Sequence, residues 1–395
     1  MSSRFRGRRG VAGLSLIEIM IALAIGSLLI LGLVQVFAAS RTAYQLSEGM
    51  SRSQENARFA MEYLQRDIRM AGHYGCVNDQ SHLQTPGALN ATYFGGATGA
   101  TIGRDFPVGI RGYDATGTAP GATLNLAAPA AGWTPALPAA IAALAPIAGS
   151  DVLELRFLAS QGTPVTNITN PTATTTIISV GTDPLRWAPL TSEGVASPTM
   201  FGIADCSYVD VFPASGVNAA AGTVNVNGLI NRYTPQPSGQ TMLYRAESLV
   251  YFLRRKPAPS NQVALYRARS NNAGTYPAAN VEEMVEGIEN MQFLFGLDRE
   301  PSLATKPPTG FIDVHRPASH GLFTGADAVV NWRRTGLVQV GLLAASPNPA
   351  AAGQPLADNR RRALGVIYEP PTTGDTNYRA SYQSTVALRN RLYGN

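Results

Sequence analysis

Charge is scarce in this chain. Of 395 residues only 14% are Asp, Glu, Lys or Arg, histidine occurs four times and cysteine twice. The residue patterns of common catalytic sites are missing as well: no Gly-x-Ser-x-Gly elbow, no His-Glu-x-x-His, no Walker A loop and no Gly-x-Gly-x-x-Gly. No Asp-rich loop suited to calcium and no repeat of solenoid period occurs. These absences argue against hydrolase, metallopeptidase and nucleotide-dependent chemistry, and the sequence calls for no cofactor or metal. His315 and His320, five apart in an expected loop with no cysteine near them, read as exposed loop histidines.

What the chain does have is one long apolar run. Leu14 to Ala39 spans 26 residues broken by a single carboxylate, Glu18, whereas a bilayer core needs about 20 apolar residues as a helix. Upstream lie Arg4, Arg6, Arg8 and Arg9 with no acid, ending at Gly13. By the positive-inside rule this leader stays cytoplasmic and the bulk of the chain lies outside. An ordinary secretory signal is cut after its apolar region; here the small residue precedes it, so cleavage at Gly13 would leave the run attached. Cleavage near Phe37-Ala38-Ala39-Ser40 would need an apolar region far longer than the usual ~7–15 residues, with a glutamate inside it. A lone carboxylate in a membrane span is costly and needs a partner, and nothing basic lies within the run. The alternative is a plain signal anchor that merely tolerates Glu18.

Removing the four leader arginines takes the formal charge from +5 to +1. The high pI therefore gives no support for a nucleic-acid partner. The short basic clusters Arg254–Lys256, Arg333–Arg334 and Arg360–Arg362 read as solvated surface or intersubunit contacts rather than a DNA groove. Cys76 and Cys206 both fall on the extracytoplasmic side, where an even count makes a disulfide the default and two free buried thiols the alternative. Such a bond would tie the end of the long helix to a strand of the head.

The helical pattern continues past the apolar run. Residues 40–71 lack proline, and Ala57, Met61, Leu64, Ile68 and Ala71 recur at three- and four-residue spacing. Glu62 and Arg66 form an i,i+4 pair, and Gly72 marks the stop. One helix over Leu14–Ala71 would be about 87 Å long, with Gly26, Gly32 and Gly49 as weak points. Over the whole chain, 39 glycines and 27 prolines suit a loop-rich β protein. Residues 84–150 read mainly as loop, with a short helix at Pro138–Leu144. Strands are expected at 153–157, 207–212, 223–230, 242–253, 262–269, 291–297 and 336–344. Asn280 and Glu283 resemble a capping box before a helix whose apolar face is Val281, Met284, Val285 and Ile288. Residues 160–200 and 298–330 read as long loops or insertions.

The N-terminal pattern, glycine followed by Leu14-Ser-Leu-Ile-Glu18 and the apolar run, resembles the type IV prepilin signature. Further stretches, Gln65–Cys76, Phe106–Tyr113, Gly149–Leu153, Val285–Phe293 and Ser384–Arg391, are similar to the PilW family of minor pilins. The resemblance implies an α+β pilin-like fold, a long N-terminal helix on a mainly antiparallel β head with large insertions. It divides the chain into a leader at 1–13, an assembly helix at 14–39, an amphipathic half at 40–72 and an extracytoplasmic head at 73–395. It also implies cleavage between Gly13 and Leu14 by prepilin peptidase and methylation of Leu14, which stands where most pilins have Phe. Glu18 would pair with a neighbouring subunit's amino terminus. The implied partners are other minor pilins, the major pilin, the inner-membrane assembly platform and a tip adhesin. The implied setting is the inner membrane and then the pilus of a Gram-negative cell, the implied role priming assembly at or near the tip. The alternatives are a J-type pseudopilin of type II secretion and a membrane-tethered periplasmic enzyme or binding protein.

Overall fold

The computed structural model describes residues 13, 15–76, 89–94, 102–260, 262–298, 311–350, 360–370 and 375–388. The leader arginines, Leu14, His82 and residues 389–391 lie outside them. One helix, α1 (Leu16–Met70), runs unbroken for 55 residues, about 82 Å at 1.5 Å per residue. Its continuity follows from the sequence: no proline interrupts it, and Gly26 and Gly32 are absorbed within a run of strong helix formers. Ala71 closes it, and Gly72 and Gly75 take positive φ to turn the chain toward the head.

The head is built on two principal sheets. The strands that matter here are β1 (Ile110–Ala115), β2 (Val152–Pro164), β3 (Met200–Ala204), β4 (Val209–Pro213), β5 (Met242–Arg255), β6 (Val263–Arg269), β7 (Val281–Glu286), β8 (Ile288–Leu297), β9 (Val314–Arg316), β10 (Thr335–Ala345) and β11 (Arg379–Ala387). The first sheet has nine strands, running from the two-residue strand Leu89–Asn90 through β4, β3, β5, β2 and β1 to Trp133–Thr134. β6 joins beside the second half of β5, and β7 beside β6. The second sheet has the order β9-β8-β10-β11 and is antiparallel throughout. Two smaller sheets, of four and three strands, complete the head. This is the expected α+β class: a long N-terminal helix with a mostly antiparallel β head.

Both principal sheets contribute to one core, and α1 closes it. Ala57, Ala60, Met61, Leu64 and Ile68 pack with Leu155 and Leu249 of the first sheet and with Met291, Val340, Leu342 and Val386 of the second. Their spacing puts them on one stripe, the pattern visible in the sequence. Leu64 and Ile68 are fully buried. Each contributes about 1.5–3 kcal/mol by leaving water.

Two readings of the sequence give way. Val281–Glu286 is a strand, not a helix, because β6 offers an edge that pairs Arg267 with Glu282 and Tyr266 with Glu283. Asn280 donates to the Arg269 carbonyl rather than capping a helix, and Gly287 at φ +74 turns the chain directly into β8. Residues 160–200 are not a loop. They hold the end of β2, a hairpin of Asn167–Thr172 with Thr175–Ser179, and the short helix Pro184–Trp187. The 298–330 segment includes β9 and the helix Gly321–Thr324, whose Phe323 packs with Trp332 against Phe295. The short helix near Pro138 is present as Ala139–Ala142.

Gly49 has a role other than bending the helix. A Cβ there would stand 2.5 Å from the Ala350 Cβ and 3.2 Å from that of Ser346, so the glycine admits the chain that follows β10. Gly49→Leu should therefore lower the stability of the detergent-solubilised chain by about 1–3 kcal/mol through overpacking. Gly49→Ala should fail to show the ~1 kcal/mol gain that the same change gives in an open helix. Thermal unfolding of both variants checks this; a stabilised Gly49→Ala protein would remove the packing role.

Candidate functional site

The site is the N-terminal helix itself and the seat that holds it. From Leu16 to Phe37 the apolar side chains are exposed, Leu16 at 79% and Phe37 at 70%, with nothing of the head against them. By length and composition this half of α1 can cross a bilayer. Its one carboxylate, Glu18, lies in the first turn, where its Oε2 accepts the Ser15 backbone N–H at 3.3 Å. A carboxylate there satisfies an otherwise unpaired donor and meets the positive end of the helix dipole. The Ser15-x-x-Glu18 spacing is that of a capping box, a local signal the topological reading of Glu18 did not use. Gly13 stands just before this turn with nothing within 4 Å of where a Cβ would be.

The seat is polar where it fixes position. Asp67, 3% exposed, accepts the Tyr251 hydroxyl at 2.6 Å and Arg267 Nη1 at 3.2 Å. Arg267 Nη2 reaches Glu282 at 2.8 Å, and Arg269 joins Glu282 to Glu247. Arg66 does not pair with Glu62 as the i,i+4 spacing suggests. It bonds Asp67 at 3.1 Å and Glu193 at 3.2 Å, and Glu193 also reaches the buried Arg245. Tertiary partners outcompete the weak local pair. Gln65 Nε2 donates to Ser384 Oγ of β11 at 2.7 Å. None of these pairings was legible in the sequence, because the partners stand up to 319 residues apart.

Cys76 and Cys206 are bonded, with 4.6 Å between their Cα atoms. Cys206 lies in the turn between β3 and β4, so the bond ties the segment after α1 to a turn and not to a strand. Beside it, Gly72 donates to the Arg156 carbonyl and Leu158 to that of His73, fastening the same segment along β2. The bond closes a loop of 130 residues, which the chain-entropy account values at about 5 kcal/mol.

The other candidates have ordinary surroundings. His315 lies on β9 and His320 Nδ1 accepts the Leu322 N–H at a helix start. In the basic clusters, Lys256 pairs with Glu283 and Glu286, Arg360 with Glu369, and Arg254 lies over the Tyr266 ring. Among the described residues no group of three or more His, Cys, Asp or Glu is placed to hold a metal.

Two outcomes follow for the seat. Removing the carboxylate with Asp67→Ala leaves Arg267 and Tyr251 buried without it, and should cost about 3–5 kcal/mol in unfolding. A loss below 1 kcal/mol would show that Asp67 does not hold the helix. For pH, burial alone would raise the Glu282 carboxyl, but the hydrogen bond and charge of Arg267, joined by Arg269, outweigh it and hold it below the usual range. A carboxyl depressed on folding gives stability that is complete above its unfolded pKa and is lost as pH falls through its folded one. The unfolding midpoint should therefore drop on acidification, with a shallower drop in Glu282→Gln; an unchanged slope would contradict it.

Comparison with protein families gives two matches. Residues 250–390 match the family described as type IV pilus-assembly protein W, and residues 8–34 match the prokaryotic N-terminal methylation motif. No curated protein and no solved structure matches the chain. The first match covers Tyr251, Arg267, Glu282 and Ser384, part of the seat of α1, and the second covers Gly13, Glu18 and most of the exposed apolar half. A methylation motif on a bare apolar helix, with a seat for that helix on the head, makes this chain similar to type IV pilus-related pilins, its likeness to the PilW family lying in residues 250–390.

Proposed function

We propose that the chain is a minor pilin, made as a membrane-anchored precursor and built into a type IV pilus at or near its tip, where it primes assembly with other minor pilins. The observation that carries this reading is the exposed apolar half of α1, preceded by Gly13 and holding Glu18 in its first turn. In this reading residues 1–13 are the leader, 14–39 the membrane and assembly half, 40–72 the half seated on the head, and 73–395 the extracytoplasmic head. Prepilin peptidase hydrolyses the peptide bond between Gly13 and Leu14, and the new amino group of Leu14 is methylated.

Glu18 then has two uses. In the single chain it accepts the Ser15 N–H. In the membrane it pairs with the amino terminus of a neighbouring subunit, a charge-assisted contact that gains strength where water is absent. The pairing sets axial register as the helix leaves lipid for the filament core, while the head remains outside. The mature chain carries a formal charge near neutral and its role is structural, with no catalytic step assigned to it. The major pilin, the inner-membrane platform and a tip adhesin are the remaining partners of this reading, and a Gram-negative envelope its setting.

A bulky residue at Gly13 should leave the leader attached, seen as an unshortened band; a shortened band would remove the cleavage claim. Glu18→Ala should mature normally yet fail to join the complex with other minor pilins, and normal incorporation would refute the pairing. Deleting the gene should abolish surface pili while type II secretion continues. Loss of secretion with pili intact would instead make it a pseudopilin.

A further inference from the structure

We propose that the outer edge of β11 is a docking edge for an extended, uncharged segment of another protein, which joins the second sheet as one further strand. The edge is a property of the folded head, independent of leader cleavage and of the Glu18 pairing, so those steps can fail without touching it.

β11 ends the order β9-β8-β10-β11 and pairs on one side only, with β10. Its nine residues run from Arg379 opposite Ala345 to Ala387 opposite Leu337 without a shift of register. The Ser346 N–H donates to the Tyr378 carbonyl and the Leu388 N–H to that of Gly336, which fixes the phase of the ladder. Residues that bond across an antiparallel pair alternate with residues that do not. The even-numbered residues therefore bond to β10, while Ser381, Gln383 and Thr385 turn their N–H and C=O groups away from it. Among the described residues these groups meet no backbone partner on that side, and Gln383 and Thr385 are exposed.

An open edge of this length is ordinarily blunted, because it is a ready template for another strand. Among the described residues every other sheet edge is. Leu89–Asn90, Trp133–Thr134 and Arg362–Ala363 have two residues each, and β9, Thr123–Asn125 and Gly216–Asn218 have three. Asn167–Thr172 carries Pro171 and a register shift. β7 carries Glu282, Glu283 and Glu286, which engage Arg267, Arg269 and Lys256. β11 has none of these devices: from Ala380 to Ala387 it holds no charge, no proline and no glycine.

The strand is also held firmly from its other side. Val386 and Leu388 lie in the core, Ser384 accepts from Gln65 of α1, and Glu289 and Asp375 clamp Arg379. An incoming segment thus meets donors and acceptors already in place, repeated about every 6.8 Å along the strand. Little ordering cost then falls on this chain.

These groups select the occupant. A line of alternating donors and acceptors matches an extended backbone, not a helix whose own backbone groups are already spent. A charge set against Ser381, Gln383 and Thr385 would find no counter-ion, so the incoming segment is uncharged along its facing length. A lone strand needs only about 4.8 Å of clear width beside β11. A second copy would have to fit its whole head, with α1 seated on its own β11, against the same line. The occupant is therefore a segment of another protein.

The test begins with amide hydrogen exchange on the detergent-solubilised full-length chain. Ser381, Gln383 and Thr385 should exchange roughly tenfold faster than Tyr382 and Ser384; equal protection would show the edge already covered and overturn the proposal. In cells, a photo-reactive benzophenone side chain is then placed in turn at positions 381, 383 and 385, with Leu185, 80% exposed, as control. The expected adducts are to one other protein, and the cross-linked position in it moves two residues for each two-residue step along β11. Gln383→Pro removes one outward N–H and keeps the bonds to β10. It should leave the unfolding midpoint unchanged yet lower the adduct yield from position 385 roughly fivefold, the effect of one lost main-chain hydrogen bond. If Gln383→Pro melts early, Thr385→Pro read from position 381 replaces it, and the stepping pattern is scored on the unaltered backbone. Adducts to a second copy, adducts that do not step, no adduct in folded membrane-anchored protein, or an undiminished yield in a proline variant of normal midpoint would each overturn the proposal.

Discussion

The burial of one stripe of α1 across two sheets is the contact on which the rest of this molecule depends. Ala57, Ala60, Leu64 and Ile68 close a core to which both sheets contribute, so the head has no complete interior without the second half of the helix. The first half of the same helix is apolar on all sides and meets no part of the head. One continuous element therefore serves two environments, and the rigidity of an uninterrupted helix carries position from one to the other.

Apolar burial is non-directional and does not by itself set where along its length the helix sits. The polar contacts of the seat supply that. Asp67 meets Tyr251 and Arg267 at one depth, Gln65 meets Ser384, and Gly49 gives room to the chain beyond β10 at another. A shift of one turn would leave Asp67 and Arg267 buried without each other, which is costly enough to make the register unique. The disulfide and the hydrogen bonds of Gly72 and His73 along β2 then fasten the segment that leaves the helix.

The same logic of fixed depth relates the two ends of α1. A head held in register with the helix is held in register with Glu18, roughly 73 Å away at 1.5 Å per residue for the 49 residues to Asp67. A pairing made by Glu18 in the membrane would thus set the height of the head.

The apolar half of α1 was legible in the sequence because its signal is local: a glycine, a lone glutamate and a long apolar run need no tertiary partner to be recognised. The amphipathic stripe from Ala57 to Ala71 was equally plain, since helical periodicity is written in consecutive residues. Seven strands of the head were legible for the same reason, most of them to within a few residues, whereas Ile110–Ala115, Met200–Ala204 and Arg379–Ala387 were not. Tertiary structure decided what depends on distant neighbours. Val281–Glu286 has a helical apolar pattern, yet the free edge of β6, with Arg267 facing Glu282, made it a strand. Arg66 left its local glutamate for Glu193, 127 positions on, because a folded head brought that carboxylate within 3.2 Å. The bond between Cys76 and Cys206 had compartment and count in its favour, but only the fold sets the two Cα atoms 4.6 Å apart. Short-range patterns set the long N-terminal helix and its apolar half, whereas pairing across hundreds of residues is settled by which edges and charges the chain buries together.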